Sequence, residues 1–447
     1  MRPGRKLLAL CLVLCFVLSA LAGCGDDPQP TEPGTTPQGG ETVDYAAQLK
    51  LDKNSSTLKL EVTVKAYVDG DTVHFHVPAD VMPGGVLKAR FLAINTPEST
   101  GKIEEYGKAA SNYTKEKLMA AESIIIESDT DSWNADSTGG RYLVWVWYKT
   151  AEMDDYRNLN IEILQNGLAI ASNSGGNIYG DTALAAIAQA KAQKLNVHSG
   201  KKDPDFFYGE AVELDLKELR SNVSAYNGMK VAFTGIVTVN SNNSVYVEVY
   251  DAETDMYYGM SVYYGYGLTG EGLKILDVGN EVRIVGTVQY YETGGTWQVS
   301  GLTYRAMKPN DPGNIQKLSE GHEPAYVLTD PARFVSGTVE VVVDETVTTL
   351  PYAQLAMSTS VRMDGLYVKD IYTTDNEESS SNGAMTLTCE VDGVTVYIRT
   401  VVLLDESGNL ITEDAYLGKT IDVRGIVDYF DGDYQIKVFS RNDIIVH

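Results

Sequence analysis

Cysteine and positive charge are both scarce in this chain of 447 residues. It has four Cys, and 36 Lys and Arg stand against 61 Asp and Glu, which gives a formal net charge of −25. Four cysteines are too few for a disulfide-stapled scaffold. The acidity argues against a protein that wraps nucleic acid with a basic surface, but an enzyme can still hold a phosphate chain at one small site. At 43% hydrophobic and 22% charged residues, the composition is that of a globular protein.

The first 24 residues combine a basic start with an apolar run. Arg2, Arg5 and Lys6 precede an apolar stretch that ends in Leu-Ala-Gly-Cys at Cys24. This order is typical of a secretory signal, and the run is short for a membrane-spanning helix. The small residues before Cys24 resemble a bacterial lipoprotein signal, in which that cysteine is acylated. An ordinary signal with a chance cysteine is the alternative.

A segment rich in Pro, Gly and Thr follows, and it predicts a disordered tether over residues 25–50. We therefore expect a protein anchored in the cell membrane through lipidated Cys24 and facing the outside of the cell. Removal of the signal would leave Cys389 as the other cysteine, so no internal disulfide is expected.

At about 150 residues per domain, the length predicts roughly three domains. Residues 55–200 read as strands followed by helices, which is an α+β unit, and a linker is expected at residues 200–205. Residues 208–310 and 335–447 are rich in strand-forming residues. They contain similar segments, Val278–Val288 and Leu417–Val427, each followed by a Gly-containing turn and a last strand. This similarity indicates an internal repeat.

The residues best suited to catalysis lie in the α+β unit. Hydrolysis of a phosphodiester needs a cation on the phosphoryl oxygens and a carboxylate that activates water. It also needs arginine guanidinium groups, or forks, that form bidentate hydrogen bonds with those oxygens. Asp71 and the amide of Asn95 offer hard oxygens suited to Ca²⁺, Arg90 and Arg141 offer the forks, and Glu98 offers the base.

Each of these elements is weak evidence alone. Asp69-Gly70-Asp71 between strands is more often a tight turn than a metal site, and the chain has the same tripeptide at residues 431–433 without arginines nearby. The ordered combination is what favours a phosphodiesterase.

That combination resembles the thermonuclease family, whose prototype is staphylococcal nuclease. The resemblance covers about residues 58–200. The segments that carry it are Val68–Val73, Arg90–Glu98, Tyr106–Ala110, Gly140–Leu143, Gln165–Ala169 and Ala190–Val197. It implies a five-stranded OB barrel with three helices and Ca²⁺-dependent endonuclease activity on DNA and RNA.

The resemblance also implies a role for individual residues. Asp71, Asn95 and the main-chain carbonyl of Thr96 match the metal ligands, and Asp69 matches a supporting carboxylate. Glu98 matches the proposed general base. Arg90 and Arg141 match the phosphate-binding arginines.

Two departures from the family stand out. Asn95 occupies the place of a second Asp ligand, so weaker Ca²⁺ binding is expected because one negative charge is missing. The acidic-x-Tyr-Gly-Arg run of the family is replaced by residues 136–141, which contain no Tyr and in which the acidic residue is shifted by one position.

The fold class predicted for the whole chain is mainly β, with two further OB-like barrels after the nuclease-like unit. Their partner is left open, since nucleic acid, protein or glycan contact and a spacer role all remain possible. We expect a monomeric, membrane-anchored, Ca²⁺-dependent nuclease that cleaves extracellular DNA or RNA. The alternative is a surface lipoprotein whose nuclease-like domain has weakened catalysis and binds oligonucleotides or another ligand.

Overall fold

In the computed structural model, residues 42–447 are described, except for residues 293, 377 and 378. The predicted signal, Cys24 and residues 25–41 of the predicted tether lie outside this part. Within it, no helix has the length and apolar character needed to cross a membrane.

The described chain is mainly β and contains three closed five-stranded barrels. In each barrel the strand order is first, second, third, fifth, fourth, and the fourth strand pairs back to the first. The N-terminal barrel consists of the strands Lys59–Asp69, Thr72–His76, Val86–Phe91, Ser123–Glu127 and Tyr142–Lys149. The middle barrel consists of the strands Lys230–Ser241, Ser244–Asp251, Met256–Tyr263, Glu281–Tyr291 and Thr296–Ser300. The C-terminal barrel consists of the strands Ser360–Thr373, Met385–Val391, Val394–Thr400, Thr420–Phe430 and Asp433–Val438.

Helices and short strands complete the three barrels. The helices are Tyr45–Gln48, Gly107–Met119, Leu159–Gln165, Gly180–Ala192, Leu216–Ser221, Glu271–Lys274, Pro331–Ser336 and Tyr352–Leu355. The short strands are Ile94–Asn95, Arg157–Asn158, Ile170–Ala171, Val212–Glu213, Gln316–Ser319, Val327–Leu328 and Ile444–Val446, and Thr338–Val343 forms a separate hairpin with Thr346–Pro351.

The barrels form because apolar residues recur at the spacing that one buried face requires. In Thr72–His76, Val73 and Phe75 are fully buried on the inside of the N-terminal barrel. The helix Gly180–Ala192 buries Ala183, Ala186, Ile187 and Ala190 at steps of three and four residues.

Two hydrophobic cores result from this packing. One fills the N-terminal barrel and its helices around Trp145 and Trp147, which are fully buried. The other is continuous through the middle and C-terminal barrels and includes Phe233, Tyr258 and Phe334.

The two similar segments found in the sequence take equivalent positions. Val278–Val288 leads into the fourth strand of the middle barrel, and Leu417–Val427 leads into the fourth strand of the C-terminal barrel. A Gly-containing turn and the fifth strand follow in each case.

The end of the predicted tether is folded, and the predicted linker is packed against the N-terminal barrel. Residues 44–48, placed in the tether, contain a helix with buried Ala46, and Asp44 pairs with Arg157 at 2.8 Å. In the predicted linker, Asp203 is buried and accepts a hydrogen bond from the Tyr106 amide at 2.6 Å. The prediction of disorder was wrong for residues 44–48, because polar composition does not reveal a capping contact such as that of Asp44.

Candidate active site

The Asp69–Asp71 segment is the tight turn between the first two strands of the N-terminal barrel, where Asp69 pairs with Thr72. A Cβ atom on Gly70 would lie 2.9 Å from Ala110 and from Thr96, so a side chain cannot be accommodated there without movement. The Gly70 carbonyl also accepts a hydrogen bond from the Thr114 hydroxyl at 2.6 Å. Packing against the helix Gly107–Met119 therefore fixes the turn.

Asp71 lies buried at the end of this turn. Its Oδ2 accepts a hydrogen bond from the Thr96 amide at 2.8 Å, and the same oxygen pairs with the Arg90 guanidinium. Its Oδ1 accepts a hydrogen bond from the Thr72 hydroxyl at 3.1 Å. The turn and the segment at Thr96, far apart in sequence, thus meet at one carboxylate.

Arg90 reaches Asp71 because its strand, Val86–Phe91, pairs antiparallel with the second strand, and Thr72 lies opposite Arg90. Its Nη2 donates to Asn95 Oδ1 at 2.7 Å. Arg90 therefore connects two of the predicted metal ligands. A guanidinium has more N–H donors than these two contacts use, so it can also bind a phosphoryl oxygen.

Glu98 and Asp69 form a carboxyl pair beside Asp71. Partial burial and the negative charges of Asp69 and Asp71 raise the pKa of Glu98 to about 7. Burial also raises the pKa of Asp69, against hydrogen bonds from the Ser99 hydroxyl at 2.6 Å and the Gly70 amide at 2.7 Å. A carboxyl group with a pKa near neutrality is suited to proton transfer.

The backbone at Glu98 is held by the segment that begins the next helix. The Glu104 amide donates to the Glu98 carbonyl at 2.9 Å. A Cβ atom on Gly107 would lie 2.1 Å from that same carbonyl oxygen. Glycine at position 107 therefore allows the helix to approach Glu98 this closely.

Arg141 lies just before the fifth strand, in which Leu143 pairs in parallel with Arg90. Its Nε donates to Asp136 Oδ2 at 2.7 Å. Hydrogen bonds from Thr138 and Arg141 lower the pKa of Asp136 and outweigh the opposing effect of burial. The structure thus gathers Asp69, Asp71, Arg90, Asn95, Thr96 and Glu98 into one cluster, while Arg141 is held separately on Asp136.

The predicted ligands have the chemistry that Ca²⁺ requires. Asp71, Asn95 and Thr96 present carboxylate, amide and carbonyl oxygens, and the buried Thr96 hydroxyl has no hydrogen-bond partner. Among the described residues there is no group of three or more His, Cys, Asp or Glu side chains arranged to hold a metal. A Ca²⁺ ion held here would depend on neutral oxygens as well as on Asp71, and it would compete with Arg90, which binds Asp71 Oδ2 and Asn95 Oδ1.

Sequence reasoning did not identify Ser99 and Gly107 as parts of the site. Ser99 holds Asp69, and Gly107 makes room for the Glu98 backbone. The available signals were the position of Ser99 next to Glu98 and the Tyr-Gly pair at the start of the helix.

Comparison with known proteins supports a nuclease-like domain. Residues 88–199 match the family described as Staphylococcal nuclease homologue. Thermonuclease from Staphylococcus intermedius is 32% identical over 111 residues, which is 24% of this chain and 57% of that protein. The chain thus spans little more than half the length of this curated relative. The family match includes Arg90, Asn95, Thr96, Glu98 and Arg141, while Asp69 and Asp71 precede it.

Proposed function

We propose that this protein is a Ca²⁺-dependent nuclease that hydrolyses phosphodiester bonds in DNA or RNA. The observation that carries the proposal is the contact cluster in which Arg90 pairs with Asp71 and Glu98 lies beside Asp69 and Asp71. The match of residues 88–199 to the nuclease family supports the same reaction class.

In the proposed reaction, Glu98 accepts a proton from a water molecule as the water oxygen attacks phosphorus. The phosphorus–oxygen bond on the opposite side breaks, the released oxygen takes up a proton from solvent water, and Glu98 later returns its proton to solvent. Arg90 and Arg141 donate hydrogen bonds to the phosphoryl oxygens, on which negative charge increases. Asp71, Asn95 and Thr96 would hold Ca²⁺, which supplies positive charge to the phosphoryl group when bound.

The cellular setting is also a proposal. The basic start, apolar run and Leu-Ala-Gly-Cys end of residues 1–24 support export and a lipid anchor at Cys24. The protein would then act as a monomer on extracellular nucleic acid. The shared strand order supports assignment of the middle and C-terminal barrels as OB-like domains.

The test is cleavage of a labelled single-stranded oligonucleotide by the purified protein in millimolar Ca²⁺, in EGTA, and after Ca²⁺ is restored. We expect cleavage only with Ca²⁺. Equal cleavage in EGTA would contradict the metal dependence, and no cleavage in Ca²⁺ would contradict the proposed activity.

A second candidate function is ligand binding without efficient cleavage. Asn95 favours it, because an amide in place of a carboxylate reduces the negative charge that attracts Ca²⁺. The presence of Asp71, Arg90 and Glu98 in one cluster favours the enzyme.

The variant Asn95→Asp separates the two functions. We expect it to lower the Kd for Ca²⁺ about tenfold, equivalent to about 1.4 kcal/mol, and to increase cleavage at limiting Ca²⁺. Calorimetric titration with Ca²⁺ measures the affinity. Asn310→Asp, which adds the same charge at an exposed position of the chain, is the control. Tighter Ca²⁺ binding by an inactive variant would favour the binding function.

A further inference from the structure

The middle barrel is hydrogen-bonded to the segment that directly follows Glu98. The Gln289 side chain donates to the Ser99 carbonyl at 3.1 Å and accepts from the Gly101 amide at 3.2 Å. The Ser300 hydroxyl donates to the Gly101 carbonyl at 3.0 Å. Gln289 and Ser300 are both buried, so these contacts lie inside the junction between the two barrels.

This junction leaves open space beside Gln289. Two adjoining cavities of about 170 and 540 Å³ share Ser99, Gln289 and Tyr290 in their walls. The larger volume lies in the range of small-molecule binding sites. Because Ser99 follows Glu98 and binds Asp69, the cavities begin next to the candidate active site.

The wall of the larger cavity is rich in tyrosine. Tyr290 and Tyr291, at the end of the fourth strand of the middle barrel, have 42% and 46% of their surface exposed. The Tyr290 ring packs against Trp297 at 5.1 Å between centroids, which supports it from one side. We call the larger cavity the tyrosine groove, and its tyrosines are Tyr67, Tyr263, Tyr290 and Tyr291.

The tyrosine groove carries little charge. Among the described residues that line it, Glu292 is the one with a charge, and it pairs with Lys115 at 2.5 Å. A groove of this kind offers little electrostatic attraction to a phosphate backbone. It offers aromatic faces and amides, with which unpaired bases can stack and form hydrogen bonds.

We propose that the tyrosine groove binds unpaired bases of a single-stranded nucleic acid next to the phosphodiester that is cleaved. This inference rests on the proposed nuclease function. It makes the middle barrel part of the substrate-binding site. In a duplex the bases are stacked on one another and paired, so they cannot lie on the tyrosine rings.

The test compares Tyr291→Ala with the wild-type full chain. We expect KM for a labelled single-stranded oligonucleotide to rise about five- to a hundredfold, because base stacking on an aromatic ring is lost. Turnover of bis(p-nitrophenyl) phosphate, which has no bases, should stay unchanged. Tyr291→Phe should restore the wild-type KM.

Tyr250→Ala is the matched control, since Tyr250 is 48% exposed in the same barrel and does not line the tyrosine groove. Equal KM values for wild type, Tyr291→Ala and Tyr250→Ala would overturn the groove proposal while the nuclease function stands. If the wild type cleaves neither substrate, the nuclease function fails. Fluorescence anisotropy with the same oligonucleotide then tests whether the tyrosine groove binds bases. Weaker binding by Tyr291→Ala alone supports the groove proposal, and equal binding by all variants overturns it.

Discussion

Glu98→Gln is expected to reduce cleavage of a single-stranded oligonucleotide about 10²- to 10⁴-fold, the range typical of a lost general base. Glutamine has nearly the shape of glutamate but cannot accept the proton of the attacking water. The backbone contacts that hold position 98 do not depend on its side chain. They include the hydrogen bond that the Glu104 amide donates to the carbonyl of residue 98. The variant should therefore fold as the wild type does. Initial rates at saturating Ca²⁺ measure the effect.

The control for this variant is Glu116→Gln, which removes a carboxylate from an exposed position on the helix Gly107–Met119. It should cleave at the wild-type rate. If Glu98→Gln also kept the wild-type rate, Glu98 would not be the base, and the contact between Glu98 and Asp69 would have only a structural role.

Arg141→Lys is expected to lower kcat about 10²- to 10³-fold, as the loss of one donor to the transition state does in other enzymes. Lysine keeps the positive charge but cannot present the planar fork that matches phosphoryl oxygens. Arg141 is more informative than Arg90, because Arg90 also contacts Asp71 and Asn95. A change at Arg90 would alter the metal ligands as well.

Arg305→Lys provides a control with a similar ion pair. Arg305 pairs with Asp311 at 2.8 Å in the middle-barrel region, much as Arg141 pairs with Asp136 at 2.7 Å. We expect no loss of kcat in this variant. Equal kcat for Arg141→Lys and the wild type would mean that Arg141 stabilises only the segment around Asp136.

The two Asp-Gly-Asp tripeptides illustrate what the sequence could predict. Both lie in tight turns between antiparallel strands, as their composition suggests. Only the ordered set around Arg90 and Glu98 distinguished the first, and the structure brings those residues into contact with Asp71 or Asp69. The grouping of these residues was therefore predictable from motif order.

Contacts between distant segments were not accessible in the same way. The hydrogen bonds of Gln289 to Ser99 and Gly101 join residues about 190 positions apart, and no local sequence pattern predicts them. The sequence also gave no reason to link the exposed Tyr290 and Tyr291 with Glu98. Local patterns report secondary structure well, but the approach of two barrels depends on tertiary packing.

The acidity of the chain is consistent with a site that binds nucleic acid through local contacts. Most of the excess negative charge lies in residues 201–447, and the tyrosine groove is close to neutral. Binding of a nucleic acid would then rest on Arg90, Arg141, Ca²⁺ and stacking, with little long-range attraction.

The most direct measurement of the central claim is oligonucleotide cleavage by the wild type and Glu98→Gln in Ca²⁺, in EGTA and after Ca²⁺ is restored. We predict that the wild type cleaves in Ca²⁺, stops in EGTA and recovers, while Glu98→Gln stays nearly inactive throughout. Wild-type cleavage that continues in EGTA, or equal cleavage by the two proteins in Ca²⁺, would contradict it.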